Sequence, residues 1–241
     1  MQYDVIIIGA GPGGIFSAYE LAKLRPELKI AVFEEGQPLE KRKCPIDGKN
    51  VKHCIGCPTC AIMNGFGGAG AFSDGKYNIT NDFGGTLYEH IGKKQALELM
   101  NYVDEINVTH GGAGTKLYTT SNSAFKTRCL QCGLHLLDAS VRHLGTDINY
   151  VVLENLFAEL DPKVDFHFRT PVRQVLEKDG GYEIVTDAGN HTCKQCIISV
   201  GRSGSKWMEG VCAELGIGTL SNRVDIGVRV ELPAEIFKHL T

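Results

Sequence analysis

The chain has 241 residues, 43% of them hydrophobic, enough to bury a substantial core in one large domain or two small ones. A formal net charge of −3 supplies no bulk attraction to nucleic acid or to an anionic membrane, and neither is expected as a partner. No apolar run approaches transmembrane length, Asp4 rather than a basic stretch precedes the N-terminal apolar run, and nine cysteines without a secretory signal suit reduced thiols, metal ligation or redox chemistry in the cytoplasm more than a disulfide framework.

The first element is a continuous apolar run, Val5 to Ile8, as expected of a strand buried on both faces of a parallel sheet. It stops at Gly9 and opens Gly9-x-Gly11-Pro12-Gly13-Gly14. In that turn the first glycine allows the tight bend, the second lets backbone come close to a pyrophosphate, and Gly14 lets the following helix pack closely on the strand. Ile15, Ala18, Leu21 and Ala22 recur at helical spacing, and Arg25-Pro26 is a natural stop. A phosphate at this helix start would meet free N–H groups and the positive end of the dipole. A second strand, Lys29 to Phe33, delivers Glu34 and Glu35, with Glu34 placed where a carboxylate accepts hydrogen bonds from a ribose diol and repels a 2′-phosphate. A glycine turn alone is weak, because any tight turn imitates it. Here strand, turn, helix, strand and acid all fall in place for a dinucleotide.

Cys44, His53, Cys54, Cys57 and Cys60 follow directly. Cys54, Cys57 and Cys60, with Cys44 as a fourth thiolate, have the spacing to hold an iron–sulfur cluster or zinc; the alternative is a set of ordinary loop cysteines, with His53 on the surface. Gly65, Gly67, Gly68, Gly70 and Gly75 then crowd one loop from Ile62 to Lys76, whose backbone N–H groups can line a phosphate or a flavin edge while Ser73, Asp74 and Lys76 add polar anchors. The middle of the chain reads as helical: a stripe from Leu87 to Ile106, a second helix from Ala124 to Leu144 and a third from Asp147 to Leu160. Cys129-x-x-Cys132 falls in the second helix and Cys193-x-x-Cys196 brackets a turn before a strand, so both read as packing cysteines.

From Val164 the pattern switches to strands, with Asp179-Gly180-Gly181 as the turn of an antiparallel meander that ends in an apolar strand stopping at Gly201. The order of these motifs resembles that of FAD-containing reductases of the glutathione-reductase type. The cysteine loop, the string Gly67 to Lys76 and His143-Leu-Gly-Thr-Asp147 are similar to the FAD-dependent dehydrogenases over essentially the whole chain. The resemblance implies an α/β fold: a Rossmann-like FAD-binding domain with a parallel sheet, a three-stranded antiparallel meander and a mostly helical insertion. It implies that Gly9, Gly11, Pro12, Gly13 and Gly14 cradle the FAD pyrophosphate, Glu34 and Glu35 the adenosine ribose, Val172 the adenine, and Gly68, Ala69, Gly70 and Gly201 the flavin side. It also implies hydride transfer through the flavin with a small-molecule substrate or electron carrier, NAD(P)H being a candidate donor. The expected division is 1–43 and 161–204 for the FAD domain, 44–85 for the cysteine- and glycine-rich loop, 86–160 for the helical insertion, and 205–241 for the start of a second, truncated domain. Members of that family are longer and complete the flavin site near their C-terminus, so this chain is expected to be a fragment or a short form. Two other readings stay open: a dehydrogenase that binds NAD directly, and a non-catalytic redox-sensing remnant. No catalytic residue is assigned by the sequence.

Overall fold

The buried runs of the N-terminal half build the centre of a six-stranded sheet. In the computed structural model, which describes residues 1–121, 123–221, 226–228 and 230–238, β1 (Gln2–Ile8) lies in the middle, with Ile6 and Ile7 wholly buried. β2 (Ile30–Phe33) pairs parallel to it on one side, Val5 opposite Ile30 and Ile8 opposite Phe33. β9 (Gly189–Ile198) pairs parallel on the other side, and β6 (Asp165–His167) extends the sheet beyond β2. β7 (Val172–Lys178), β8 (Gly181–Thr186) and β9 form the antiparallel meander, giving the order β6-β2-β1-β9-β8-β7.

Helices close both faces. α1 (Pro12–Leu24) and α5 (Gly145–Leu160) bury Ile15, Ala18, Val152 and Leu156 against Val5 and Ile7, while α6 (Ser205–Glu214) places Val211 among Tyr3, Ile6, Ile8, Phe33 and Ile184 on the opposite face. A buried side chain of this size stabilises the fold by roughly 1.5–3 kcal/mol, which makes the β1 core the main source of stability around the glycine turn.

The segment between β2 and β6 departs from the sequence reading in two places. The stripe from Leu87 to Ile106 is two helices, α2 (Leu87–Ile91) and α3 (Lys93–Asn107), because Gly92 between them takes φ +84. The helix expected from Ala124 to Leu144 ends early: α4 covers Ser123–Gln131, Gly133 turns the chain at φ +72, and β5 (Ser140–His143) pairs with β3 (Lys76–Ile79) and β4 (Leu117–Thr119). The insertion is therefore a mixture of helices and a small antiparallel sheet, because Ser140, Val141 and Arg142 form ladder bonds that no local helical preference can offset. Cys193 and Cys196 both lie within β9 rather than around a turn. After α6, α7 (Ala234–Phe237) is the last helix among the described residues, and the second-domain strand expected at Val224 to Val230 lies outside the described residues at Val224, Asp225 and Arg229. Among the described residues no helix is long and apolar enough to cross a membrane.

Candidate nucleotide-binding site

Parallel strands that end side by side leave a crevice at their C-terminal edge, and ligands of open α/β sheets bind there. Here the crevice is a cleft of about 700 Å3, within the range of small-molecule sites. Its walls include Gly9, Gly11, Pro12 and Gly13 after β1, Glu34 and Glu35 after β2, Gly68, Ala69 and Gly70 from the glycine loop, Val172 at the start of β7, and Gly201 after β9. The structure thus gathers onto one surface the residues that the resemblance assigned to the nucleotide, except Gly14, which is buried.

The glycines have distinct duties. A Cβ on Gly14 would stand 1.9 Å from the Gly9 carbonyl oxygen, and one on Gly9, which has φ +100, would stand 2.6 Å from the Ser199 carbonyl oxygen. Both positions are closed by protein backbone. At Gly11 the nearest atom to such a Cβ is the Gly68 Cα at 3.9 Å, and at Gly201 nothing lies within 4 Å. Those two glycines therefore keep space open toward the cleft, a cradle that side chains would fill, with the N-terminus of α1 directed at it. An FAD pyrophosphate fits this cradle chemically, since it needs N–H donors and no bulk.

Glu34 has a second role that its position in sequence did not indicate. Its side chain is buried, and one carboxylate oxygen accepts from the Ala10 N–H at 2.7 Å while the other accepts from the N–H groups of Gly36 and Gly65, each at 2.8 Å. A carboxylate offers about four lone-pair positions, so about one remains for a ligand hydroxyl. Glu35 beside it supplies a further carboxylate, whose pKa is raised by burial and by the charge of Glu34, with Arg173 acting in the opposite sense.

Arg42 joins this arrangement without any sequence signal. Its buried guanidinium donates to the carbonyls of Ala61, Ile62 and Phe66 at 2.9, 2.8 and 2.6 Å and lies over the Phe72 ring at 4.8 Å, and burial lowers its pKa to about 10. Glu34 therefore holds the glycine loop by an N–H and Arg42 holds it by three carbonyls. Asn149 on α5 completes the support, donating to the Gly70 carbonyl at 3.0 Å.

The two strings that carried the family resemblance, far apart in sequence, are bonded together: Leu144 N–H to the Gly75 carbonyl at 2.9 Å, Gly145 N–H to the Asp74 carbonyl at 3.0 Å, and the Thr146 hydroxyl to the Ser73 carbonyl at 3.0 Å. The polar anchors Ser73, Asp74 and Lys76 do not reach the cleft. The Ser73 hydroxyl donates to the Gly70 carbonyl, and Asp74 pairs with Lys76 at 2.6 Å.

Cys44, Cys54, Cys57 and Cys60 are not assembled as the metal reading required. Among the described residues no three His, Cys, Asp or Glu side chains are grouped to hold a metal ion, and all four thiols are free, Cys54 being exposed. The backbone of their loop follows the Asp47 turn, where one carboxylate oxygen accepts from three N–H groups, and then the Arg42 clamp. The sequence reading also passed over Asn64, Thr170, Arg173, Ser199, Arg202 and Trp207, all of which line the cleft. Arg173 adjoins Val172 and Trp207 is the chain's single tryptophan, signals that single these two out only once the fold is known.

Fold and cleft together have the Rossmann-type arrangement, a parallel sheet with a glycine turn and a helix N-terminus at the C-terminal edge of its first strand. Residues 1–38, which comprise the first strand, the glycine turn, α1, β2 and Glu34, match the Thi4 family. Thiamine thiazole synthase of Yarrowia lipolytica is 64% identical over 35 residues, 14% of this chain and 11% of that protein. An uncharacterized protein of Clostridium beijerinckii is 27% identical over 239 residues, 96% of this chain; the chain spans 37% of that relative's length. Among solved structures, glycine oxidase from Geobacillus kaustophilus is similar with a TM-score of 0.53 and 18% identity, over 90% of this chain and 59% of that one, a likeness of fold.

Proposed function

We propose that this chain is the FAD-binding portion of an oxidoreductase that moves hydride to or from a small-molecule substrate or electron carrier. The observation that carries the reading is the single cleft in which the open glycine cradle, the two carboxylates after β2, the start of β7 and the glycine loop meet. The resemblance of the string Gly67 to Lys76 to the FAD-dependent dehydrogenases favours a flavin over a nicotinamide nucleotide in this position, and the fold shared with glycine oxidase accords with it.

On this reading Gly11 and Gly13 with the first turn of α1 hold the pyrophosphate, Glu35 and the remaining acceptor position of Glu34 hold the ribose, and the backbone at Val172 faces the adenine. Gly68, Ala69, Gly70 and Gly201 line the flavin side. When bound, the flavin supplies hydride acceptance and donation. The protein's share is orientation: Glu34, Arg42 and Asn149 fix the glycine loop, so that the wall of the cleft is formed before a ligand arrives. Substrate binding and turnover are assigned to the longer protein of which such a chain forms one part. Purifying the chain under anaerobic conditions and identifying any nucleotide it releases tests the reading. FAD supports it; NAD, or no uptake of any dinucleotide, removes it.

A further inference from the structure

Beyond Glu35 the nucleotide cleft continues into a second cavity of about 390 Å3, sharing with it Glu35, Asn64 and Pro171. Three cations line this annex: Lys41 and Lys43, which flank the buried Arg42, and Arg169 from the turn between β6 and β7. They stand against a single carboxylate, Glu35. None of the three side chains has an ion pair or hydrogen bond among the described residues, whereas other cations such as Lys163, Lys178 and Lys194 are paired. Unpartnered cations that converge on a concave surface retain their donors for a ligand, and an anion held by several of them gains charge-assisted bonds.

Arg169 carries a second, independent mark. It is one of two non-glycine residues at positive φ among the described residues, at +55, and its N–H donates to the Gly36 carbonyl at 2.9 Å. A glycine would occupy that backbone without strain. The chain instead keeps a guanidinium there, lining the annex, and strained side chains gather where they serve a site. Cys57 and Thr59 from the cysteine loop also line the annex. The annex is thus built from three segments that the Glu34 and Arg42 clamps bring together.

We propose that this annex binds a phosphoryl-type dianion beside the nucleotide cleft, with Arg169, Lys41 and Lys43 as its ligands. The dianion is either a separate phosphate-bearing molecule or a 2′-phosphate on a nucleotide in the cleft, in which case the three cations must outweigh the repulsion of Glu34 and Glu35. The first case stands apart from which dinucleotide fills the cleft; the second would put a 2′-phosphorylated nucleotide there in place of FAD. The test is calorimetric titration of the full chain with inorganic phosphate, alone and in the presence of AMP, and with adenosine 2′,5′-bisphosphate compared with AMP. Arg169→Gly is the first variant, since glycine suits the positive φ and the fold is expected to keep its melting temperature. Lys41→Gln combined with Lys43→Gln is the second.

Phosphate that binds with AMP present, and about tenfold more weakly in Arg169→Gly, identifies a separate anion; tenfold corresponds to about 1.4 kcal/mol. A bisphosphate that binds about tenfold more tightly than AMP, with the advantage lost in both variants, identifies a phosphate on the nucleotide. Absence of phosphate binding together with equal affinity for AMP and the bisphosphate overturns the proposal, as does phosphate binding or a bisphosphate advantage that neither variant weakens. AMP affinity itself reports on the main cleft, so loss of that reading is seen separately.

Discussion

Replacing Glu34 by glutamine tests whether this carboxylate organises the cleft or only awaits a ribose. In the wild type its two oxygens accept three backbone N–H groups, from Ala10, Gly36 and Gly65. Glutamine has one acceptor oxygen and one amino group, so either Ala10 or the Gly36–Gly65 pair faces a donor instead of an acceptor. An unsatisfied buried donor costs about 1–3 kcal/mol, and the bonds that survive lose their charge assistance. The sum is roughly 2–4 kcal/mol, a drop in melting temperature of roughly 4–16 °C for a chain of this length. Urea denaturation and thermal scanning of both proteins, with nucleotide absent, measure it. A shift below about 1 °C would refute the claim that Glu34 holds the glycine turn to the glycine loop.

Four further outcomes follow from the same geometry. Gly14→Ala should fail to fold, its Cβ falling 1.9 Å from the Gly9 carbonyl oxygen, whereas Gly11→Ala should fold normally and bind nucleotide at least about tenfold more weakly, as circular dichroism and titration would show. Arg42→Met should free the 61–66 carbonyls and make the glycine loop sensitive to limited proteolysis at protein stability lowered by about 2–4 kcal/mol; equal cleavage rates would count against the clamp. His167 and His191, packed against Phe33 and Tyr3, have pKa values lowered first by burial, with Asp165 opposing this at His167. The unfolded chain therefore takes up their protons more readily, and stability should be full above pH ~6.5 and decline as pH falls below it, a slope that His167→Phe should reduce. Chelator treatment should leave the melting temperature within about 1 °C, since the four loop cysteines are not gathered around a centre; a larger fall would restore the metal reading.

The N-terminal unit was legible in sequence because each of its parts is a local, backbone-dictated requirement. A glycine at Gly14 is needed wherever a helix must touch the strand before it, and Val5 to Ile8 is apolar because both faces of β1 are covered. The meander was legible for the same reason, through the turn at Asp179-Gly180-Gly181 between two strand-forming runs. The middle of the chain was not, because Ser140 to His143 becomes a strand through pairing with Lys76 to Ile79, more than sixty residues away, and with Leu117 to Thr119. Arg42 was silent because its three partners are backbone carbonyls, which any sequence offers. The cysteine spacing left a ligand set and ordinary loop cysteines both open, because spacing fixes only how far thiols can reach; among the described residues no three candidate ligands are grouped. Glu34 was found for a ligand contact, while its burial and three backbone partners appear only once residue 65 is folded against residue 36.

The central claim, that the cleft between the glycine turn, Glu35, Val172 and the glycine loop takes FAD, is tested most directly by titrating FAD into the anaerobically purified chain while following Trp207, the single tryptophan and part of the cleft wall. The account predicts saturable quenching of that fluorescence, an absorbance peak at about 450 nm that stays with the protein through gel filtration, and release of FAD on denaturation. Unchanged tryptophan emission, with flavin eluting entirely free of the protein, would contradict it.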